Sequence, residues 1–320
     1  MAMRNEENYG YIAEKILDPR DYIFGGVTSI ENQVLNPDAD WFAWLPPLEV
    51  QNDDWGDTMS CVSFAMTNAI EVILKKKYGV DVNFSERALA KMSGTKRTGN
   101  TMSAVAETIR TQGLILEKHW PLDYTNVNSW DEFYKEIPED ILIKGKRFLD
   151  EYDIKWEWVF NHEKIDEALQ YAPLVTAVYA YPEFKDGVYQ PSENWPNHNM
   201  LLYDVDNQNG VFRFYDNYKN SWKAYSKDYK LGAIIKFNIT KLSELLMPKY
   251  EFNNNTLLQL VEGTGGFGLY LDGKIIIDDL DKILASWLVR NSGNISGMVR
   301  AVTQEIWDSF PHQNLKGEMI

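Results

Sequence analysis

An α+β fold is predicted, with helices in the first half of the chain and strands in the second. Three observations predict it. Ala65, Ala69, Val72 and Ile73 recur at helical spacing, followed by two further helix-like segments before residue 113. After Pro173 the pattern changes to short apolar runs separated by Asn, Asn-Gly and Lys-rich loops, the signature of strands. The two patterns do not alternate along the chain, which separates α+β from α/β.

The elements follow in order. Residues 1–40 carry Asn, Asp, Gly and Pro at short intervals and read as an extended N-terminal arm. Leu45-Pro46-Pro47-Leu48 stiffens the chain before a polar loop over 51–58. The helix that begins after Ser60 closes with Lys75-Lys76-Lys77 and Gly79, cations and a glycine where a helix C-terminus favours them. Helices are predicted over 84–92 and 102–111, the latter ending at Gly113, with shorter ones over 129–136, 139–151 and 163–170. Strands are predicted over 174–179, 200–205, 211–215 and 233–237. Asn253-Asn254-Asn255 suggests a boundary, giving a main domain over 41–250 and a C-terminal appendage over 251–320. In the appendage, Asp272-Gly273 predicts a hairpin over 269–277, with helices over 279–290 and 303–310.

Composition narrows the function. The 320 residues carry 32 Lys and Arg against 47 Asp and Glu, a net charge of −15. Such a chain has no general attraction for phosphate backbones or anionic lipid, so nucleic acid and membrane are not expected partners. No apolar run approaches the roughly 20 residues that span a bilayer. Residues 1–11 lack the basic and apolar regions of a signal peptide, so a cytoplasmic protein is expected, with virion association or release left open. One cysteine and four histidines leave little material for a Cys/His metal centre, and no cofactor or metal is expected. Gly263 to Gly268 lacks the Lys-Ser or Lys-Thr of a phosphate loop, and Asp278, Asp279 and Asp281 read as solvated acids at a helix start.

The chemistry centres on Cys61. A thiol at a helix start meets unpaired backbone N–H groups and the positive end of the dipole, which favour the nucleophilic thiolate. A lone helix cysteine is more often an inert buried hydrophobe, so its neighbours decide. Ser60-Cys61-Val62-Ser63-Phe64-Ala65, with Gln51 upstream, resembles the nucleophile region of papain-like cysteine peptidases. His198, in Asn197-His198-Asn199-Met200, resembles that family's histidine heading an apolar strand, and follows Cys61 at the roughly 130–150-residue interval of papain-type enzymes. Gly99-Asn100-Thr101, the following helix and Trp120-Pro121-Leu122 are similar to the family's substrate strand and its continuation. Asp40-Trp41, Leu45-Pro46-Pro47 and the segment from Asp18 to Tyr22 resemble the approach to the nucleophile.

The resemblance implies a papain-like fold, a helical half and an antiparallel-sheet half with the active-site cleft between them, and a cysteine peptidase acting on peptide or protein substrates through an acyl-enzyme. It implies that Cys61 attacks, His198 carries the proton, Gln51 helps hold the oxyanion, and Gly99 and Asn100 pair with the substrate backbone. Asp216, at the end of the strand after His198, is the third catalytic candidate by register; Asn220, in Asn220-Ser221-Trp222, is the alternative. The family's Trp after the cysteine is Val62 here, and Trp55 stands where its Gln usually falls, so the loop must bulge for Gln51 to reach the site. A single cysteine excludes the family's usual disulfides and fits a reducing compartment. The same residues leave open a thiol acyltransferase, or a catalytically silent protein on this fold such as a viral particle component. The arm and the appendage are expected to dock on the main domain, the appendage covering the cleft or offering an assembly surface.

Overall fold

The computed structural model describes residues 9–14, 21–26, 30 and 33–242, and the backbone of four strands between 259 and 301. Two compact units divide the chain, one over residues 1–149 and 153–239, the other over 150–152 and 240–320.

The described residues up to 242 form six α-helices: α1 (Cys61–Tyr78), α2 (Glu86–Met92), α3 (Met102–Gln112), α4 (Trp130–Phe133), α5 (Glu139–Leu149) and α6 (Ile165–Leu169). The strands are β1 (Tyr22–Ile23), β2 (Asn52–Asp53), β3 (Gly56–Asp57), β4 (Tyr152–Trp158), β5 (Leu174–Val178), β6 (Phe184–Lys185), β7 (Val188–Tyr189), β8 (His198–Asp206), β9 (Val211–Tyr215), β10 (Trp222–Ser226) and β11 (Ile234–Lys241). Nine of them form one sheet in the order β1-β4-β11-β5-β8-β9-β10-β7-β6, while β2 and β3 make a separate hairpin. Pairing is antiparallel from β11 through β5, β8 and β9 to β10, and parallel at β1/β4 and β7/β10.

Helix α1 lies against β8 and β5 and carries α2 and α3 on its other side. Every residue from Cys61 to Leu74 is buried, as expected of a helix enclosed all round and not amphipathic. Phe64, Met66, Ile70 and Ile73 pack it into a core shared with Leu174, Val175, Leu201, Leu202 and Phe214. Each such side chain contributes roughly 1.5–3 kcal/mol on leaving water. Gly79 ends α1 in the left-handed region, φ 65°, and its N–H returns to the last turn.

The α+β architecture expected from the sequence is observed, with differences in the short elements. Phe84 forms an isolated bridge to Leu116, and α2 starts two residues later under the Ser85 cap. The helix over 129–136 shrinks to four residues, and that over 163–170 splits into a 3-10 turn and α6. The helix over 139–151 stops at Leu149 because the next residues enter β4, whose apolar Tyr152, Ile154, Trp156 and Trp158 alternate with charge.

In the second unit, β12 (Gln259–Gly263), β13 (Gly266–Leu271), β14 (Lys274–Ile275) and β15 (Val299–Ala301) form a sheet in the order β14-β13-β12-β15. The expected hairpin is present, with Leu271 opposite Lys274. The glycine-rich stretch belongs to strand pairing, Gly263 facing Gly266. The helices expected over 279–290 and 303–310 lie outside the described residues. No helix among the described residues is long and apolar enough to cross a membrane.

Candidate active site

Cys61 is the first residue of α1. Its N-cap, Ser60, makes no capping bond, because its hydroxyl is engaged with Thr58 at 2.5 Å. The first turn of α1 also has no acidic residue. The positive end of the helix is therefore uncompensated at the sulfur.

His198 heads β8, in register with Val178 at the end of β5. Its Nε2 is 2.9 Å from Asp216 Oδ1, and the Cys61 side chain lies close enough to act on the ring. Burial would push this imidazole toward neutrality. The charge and hydrogen bond of Asp216, with the Cys61 side chain, win and raise its pKa to about 10.

Asp216 follows β9 and is wholly buried. Its backbone N–H donates to the Ser221 carbonyl across the turn into β10. Its second oxygen accepts from the Tyr181 hydroxyl at 2.8 Å and lies 4.0 Å from Lys223 Nζ. Burial and then this carboxylate raise the Tyr181 phenol, keeping it a donor. Asn220 sits exposed in the turn, so Asp216 is the side chain next to His198.

Gln51 reaches this region because β2 and β3 take up the additional residues as a hairpin between Gln51 and Thr58. Its backbone is fixed on both sides, the N–H to Asn217 O at 2.9 Å and the carbonyl by the Thr58 hydroxyl at 2.7 Å. The Gln51 amide nitrogen donates to Asp57 Oδ1 at 3.1 Å and the Tyr218 hydroxyl at 2.9 Å, and Tyr218 donates to Asp57. Asn217 ties the arrangement to α1 through Asn68 at 2.8 Å. Tyr218 and Tyr181 flank the imidazole, with ring centres 5.3 and 6.1 Å away.

The N-terminal arm lies on these residues. Gly10 O accepts from Asn100 N–H at 3.0 Å, and Ile12 N–H donates to Asn100 O at 2.9 Å, a parallel pairing of Tyr11 with Asn100. On the other side, Tyr9 and Tyr11 N–H point at Asn197 O, at 3.2 and 3.3 Å. Tyr9 O is 3.4 Å from His198 Nδ1, and its ring meets Tyr181, His198 and Tyr218. Gly99, at φ 92°, has no room for a side chain: a Cβ would stand 2.0 Å from Gly10 O. Farther along, the Glu14 carboxylate takes the Ser103 N–H at 2.9 Å and its hydroxyl at 2.8 Å, at the positive end of α3. Under this arm Cys61 is 1% exposed and His198 0%.

All six residues singled out from the sequence thus occur in one neighbourhood, Gly99 and Asn100 holding the arm. Tyr9, Asp57, Tyr181, Tyr218 and Lys223 were not marked by any motif. Only the position of Tyr218, two residues beyond Asp216, offered a signal.

A family model described as papain family cysteine protease matches residues 48–230. The chain belongs to the papain family of cysteine proteases. It is a cysteine-type peptidase, a hydrolase whose substrates are peptides or proteins. The structure of xylellain, a cysteine protease from Xylella fastidiosa, shares the fold at TM-score 0.53 and 19% identity, covering 75% of this chain and 98% of that one. The digestive procathepsin L2 proteinase from the Tenebrio molitor larval midgut aligns at TM-score 0.50 and 16% identity, covering 73% and 80%. No curated protein matches the chain. Among the described residues the papain-family peptidase has one cysteine, and it is free.

Proposed function

We propose that this chain is a latent cysteine peptidase that uses Cys61, His198 and Asp216, with residues 9–12 occupying its substrate cleft. The observation that carries the reading is His198 held by Asp216 at 2.9 Å, with a cysteine at a helix start close enough to act on its ring. With Nε2 committed to Asp216, Nδ1 is the nitrogen that serves the thiol. The high imidazole pKa keeps His198 protonated near neutral pH, ready to give its proton to a leaving group.

The sulfur then attacks the substrate carbonyl carbon, forming a C–S bond and an oxyanion. The Cys61 backbone N–H and the Gln51 amide stabilise that charge, the amide exchanging its bond to Tyr218 or Asp57 for one to the oxyanion. The C–N bond breaks as His198 delivers its proton to the leaving amine. Water, deprotonated by His198, attacks the acyl-enzyme, the C–S bond breaks, and a carboxylate product leaves with the thiolate regenerated. The substrate backbone takes the place of Gly10 on Gly99 and Asn100.

Complete enclosure of Cys61 and His198 also favours a second reading, a silent protein on the same fold. Full-length protein treated with a peptidyl electrophile and with a peptide library tests both. The peptidase reading expects labelling at Cys61 and cleavage, each lost in His198→Ala. Absence of labelling and cleavage even after displacement of the arm would establish the silent reading, and labelling without cleavage would favour acyl transfer.

A further inference from the structure

Apart from the catalytic groups, one set of acids stands out among the described residues. Glu49, Glu86 and Glu117 each bring a carboxylate oxygen to within 4.8 Å of the other two. They come from the irregular segment before Gln51, the first residue of α2 and a 3-10 turn over Glu117–His119. Glu86 is 1% exposed, and its Oε2 has no hydrogen-bond donor. Glu49 Oε2 and Glu117 Oε2 are buried without a donor as well.

Glu49 Oε1 and Glu117 Oε1 are committed. Asn83 donates to Glu49 Oε1 at 2.6 Å, and Leu122 N–H donates to Glu117 Oε1. The Ser85 hydroxyl gives its proton to Trp120 O at 2.5 Å, so it has none for Glu117. Arg87, the cation next in sequence, spends its guanidinium on the carbonyls of Phe133, Pro121 and Glu132. A fourth acid, Glu71, lies close enough to act on Glu86 and directs Oε1 at Phe84 N–H, 2.7 Å away. Several carboxylates therefore converge on the buried Glu86, and among the described residues no cation forms an ion pair with them, Arg87 acting on Glu117 only from a distance, an arrangement that is costly unless neutralised.

We infer that Glu49, Glu86 and Glu117 bind a hard divalent cation of the calcium class. Two oxygens each about 2.4 Å from one ion can stand at most about 4.8 Å apart, and all three lie within 4.8 Å of one another. An all-carboxylate donor set selects calcium, magnesium or manganese over softer metals. Glu49 lies two residues before Gln51, and its carbonyl accepts from Asn217 at 2.8 Å, so an ion here would brace the segment carrying Gln51. This inference does not depend on the peptidase chemistry.

The full-length chain, freed of metal with a chelator, tests it by thermal unfolding and by terbium luminescence excited through tryptophan, Trp120 being three residues from Glu117. Calcium chloride at ~1 mM is expected to raise Tm by about 2–5 °C, and terbium to luminesce and be displaced by calcium. Glu117→Gln should weaken terbium binding about tenfold or more and abolish the calcium shift, with Glu49→Gln as the second variant should the first fail to fold. Equal Tm with chelator, calcium, magnesium and manganese, and no sensitised terbium signal, would overturn the inference. So would a shift of equal size in wild type and in the folded variants. In either case the acids hold protons among themselves.

Discussion

A carboxylate at position 216 gives His198 a full negative charge at 2.9 Å, where an amide would give only a dipole. Asp216→Asn keeps a hydrogen-bonding group and removes the charge. The alkaline limit of peptide cleavage should then move to lower pH, while Asp216→Ala should lower kcat/KM on the order of 10². An unmoved alkaline limb in Asp216→Asn would mean that this charge does not hold the proton. Stability carries the same signature. The imidazole rises from 6.5 unfolded to about 10 folded, so its contribution is complete below pH 6.5 and is lost as pH rises through about 10. Urea unfolding at pH 6, 8 and 10 should show the stability gap between wild type and His198→Ala closing with pH; a constant gap would contradict the linkage. Cys61, His198 and Asp216 were legible because each sits in a local string with a meaning: a helix start, the head of an apolar strand, the end of the next strand. Tyr181 was not, since it reaches Asp216 from the loop after β5, at a separation no local pattern encodes. Its backbone lies at φ 57°, uncommon for a tyrosine, and the sequence gives no sign of that either.

Helix α1 and helix α3 were legible as elements because both carry strong end signals, Gly79 and Gly113. The Gly113 signal has a second cause beyond capping. Its φ is 76°, and a Cβ there would stand 2.1 Å from Gly145 O on α5. Gly113→Ala should therefore cost about 2–4 kcal/mol, a strained backbone plus an overpacked contact, read as a lower urea midpoint. A loss below about 0.5 kcal/mol, the ordinary surface value, would mean that α5 yields without cost. Strand β4 was missed although its alternation is regular, because the helical pattern before it was carried two residues too far. What then fixes β4 is tertiary: Lys236 on β11 makes a wholly buried ion pair with Glu157 at 2.7 Å. The pairs β6/β7 and β1 are two residues long, too short for any periodicity. The β2–β3 hairpin was foreseen only as a need, a bulge that lets Gln51 reach the site.

At the scale of the whole molecule, the arm decides whether the chemistry is available. An arm that docks on the main domain was legible in the sequence, but nothing in it said that the docking place would be the cleft. Among the described residues, the arm covers Cys61 and His198. Three full-length variants separate occlusion from catalysis. Glu14→Ala removes the clasp on Ser103, and Gly10→Val places a Cβ 2.5 Å from Met59 O at a φ of 101°, so both should loosen the arm. Reactivity scales with the fraction of molecules whose cleft is open, so iodoacetamide labelling of Cys61 and peptide cleavage should rise together, by about tenfold for each kilocalorie-scale weakening of ~1.4 kcal/mol. Gly99→Val is the discriminating case. Its side chain would collide with Gly10 O and expel the arm, yet the same side chain would stand where a substrate backbone must pair. Labelling by the small electrophile should therefore rise while peptide cleavage falls. If cleavage rises with labelling in Gly99→Val, substrate does not run along Gly99 and Asn100. If neither Gly10→Val nor Glu14→Ala changes labelling, the arm does not limit access to Cys61, and its pairing with Asn100 serves stability alone.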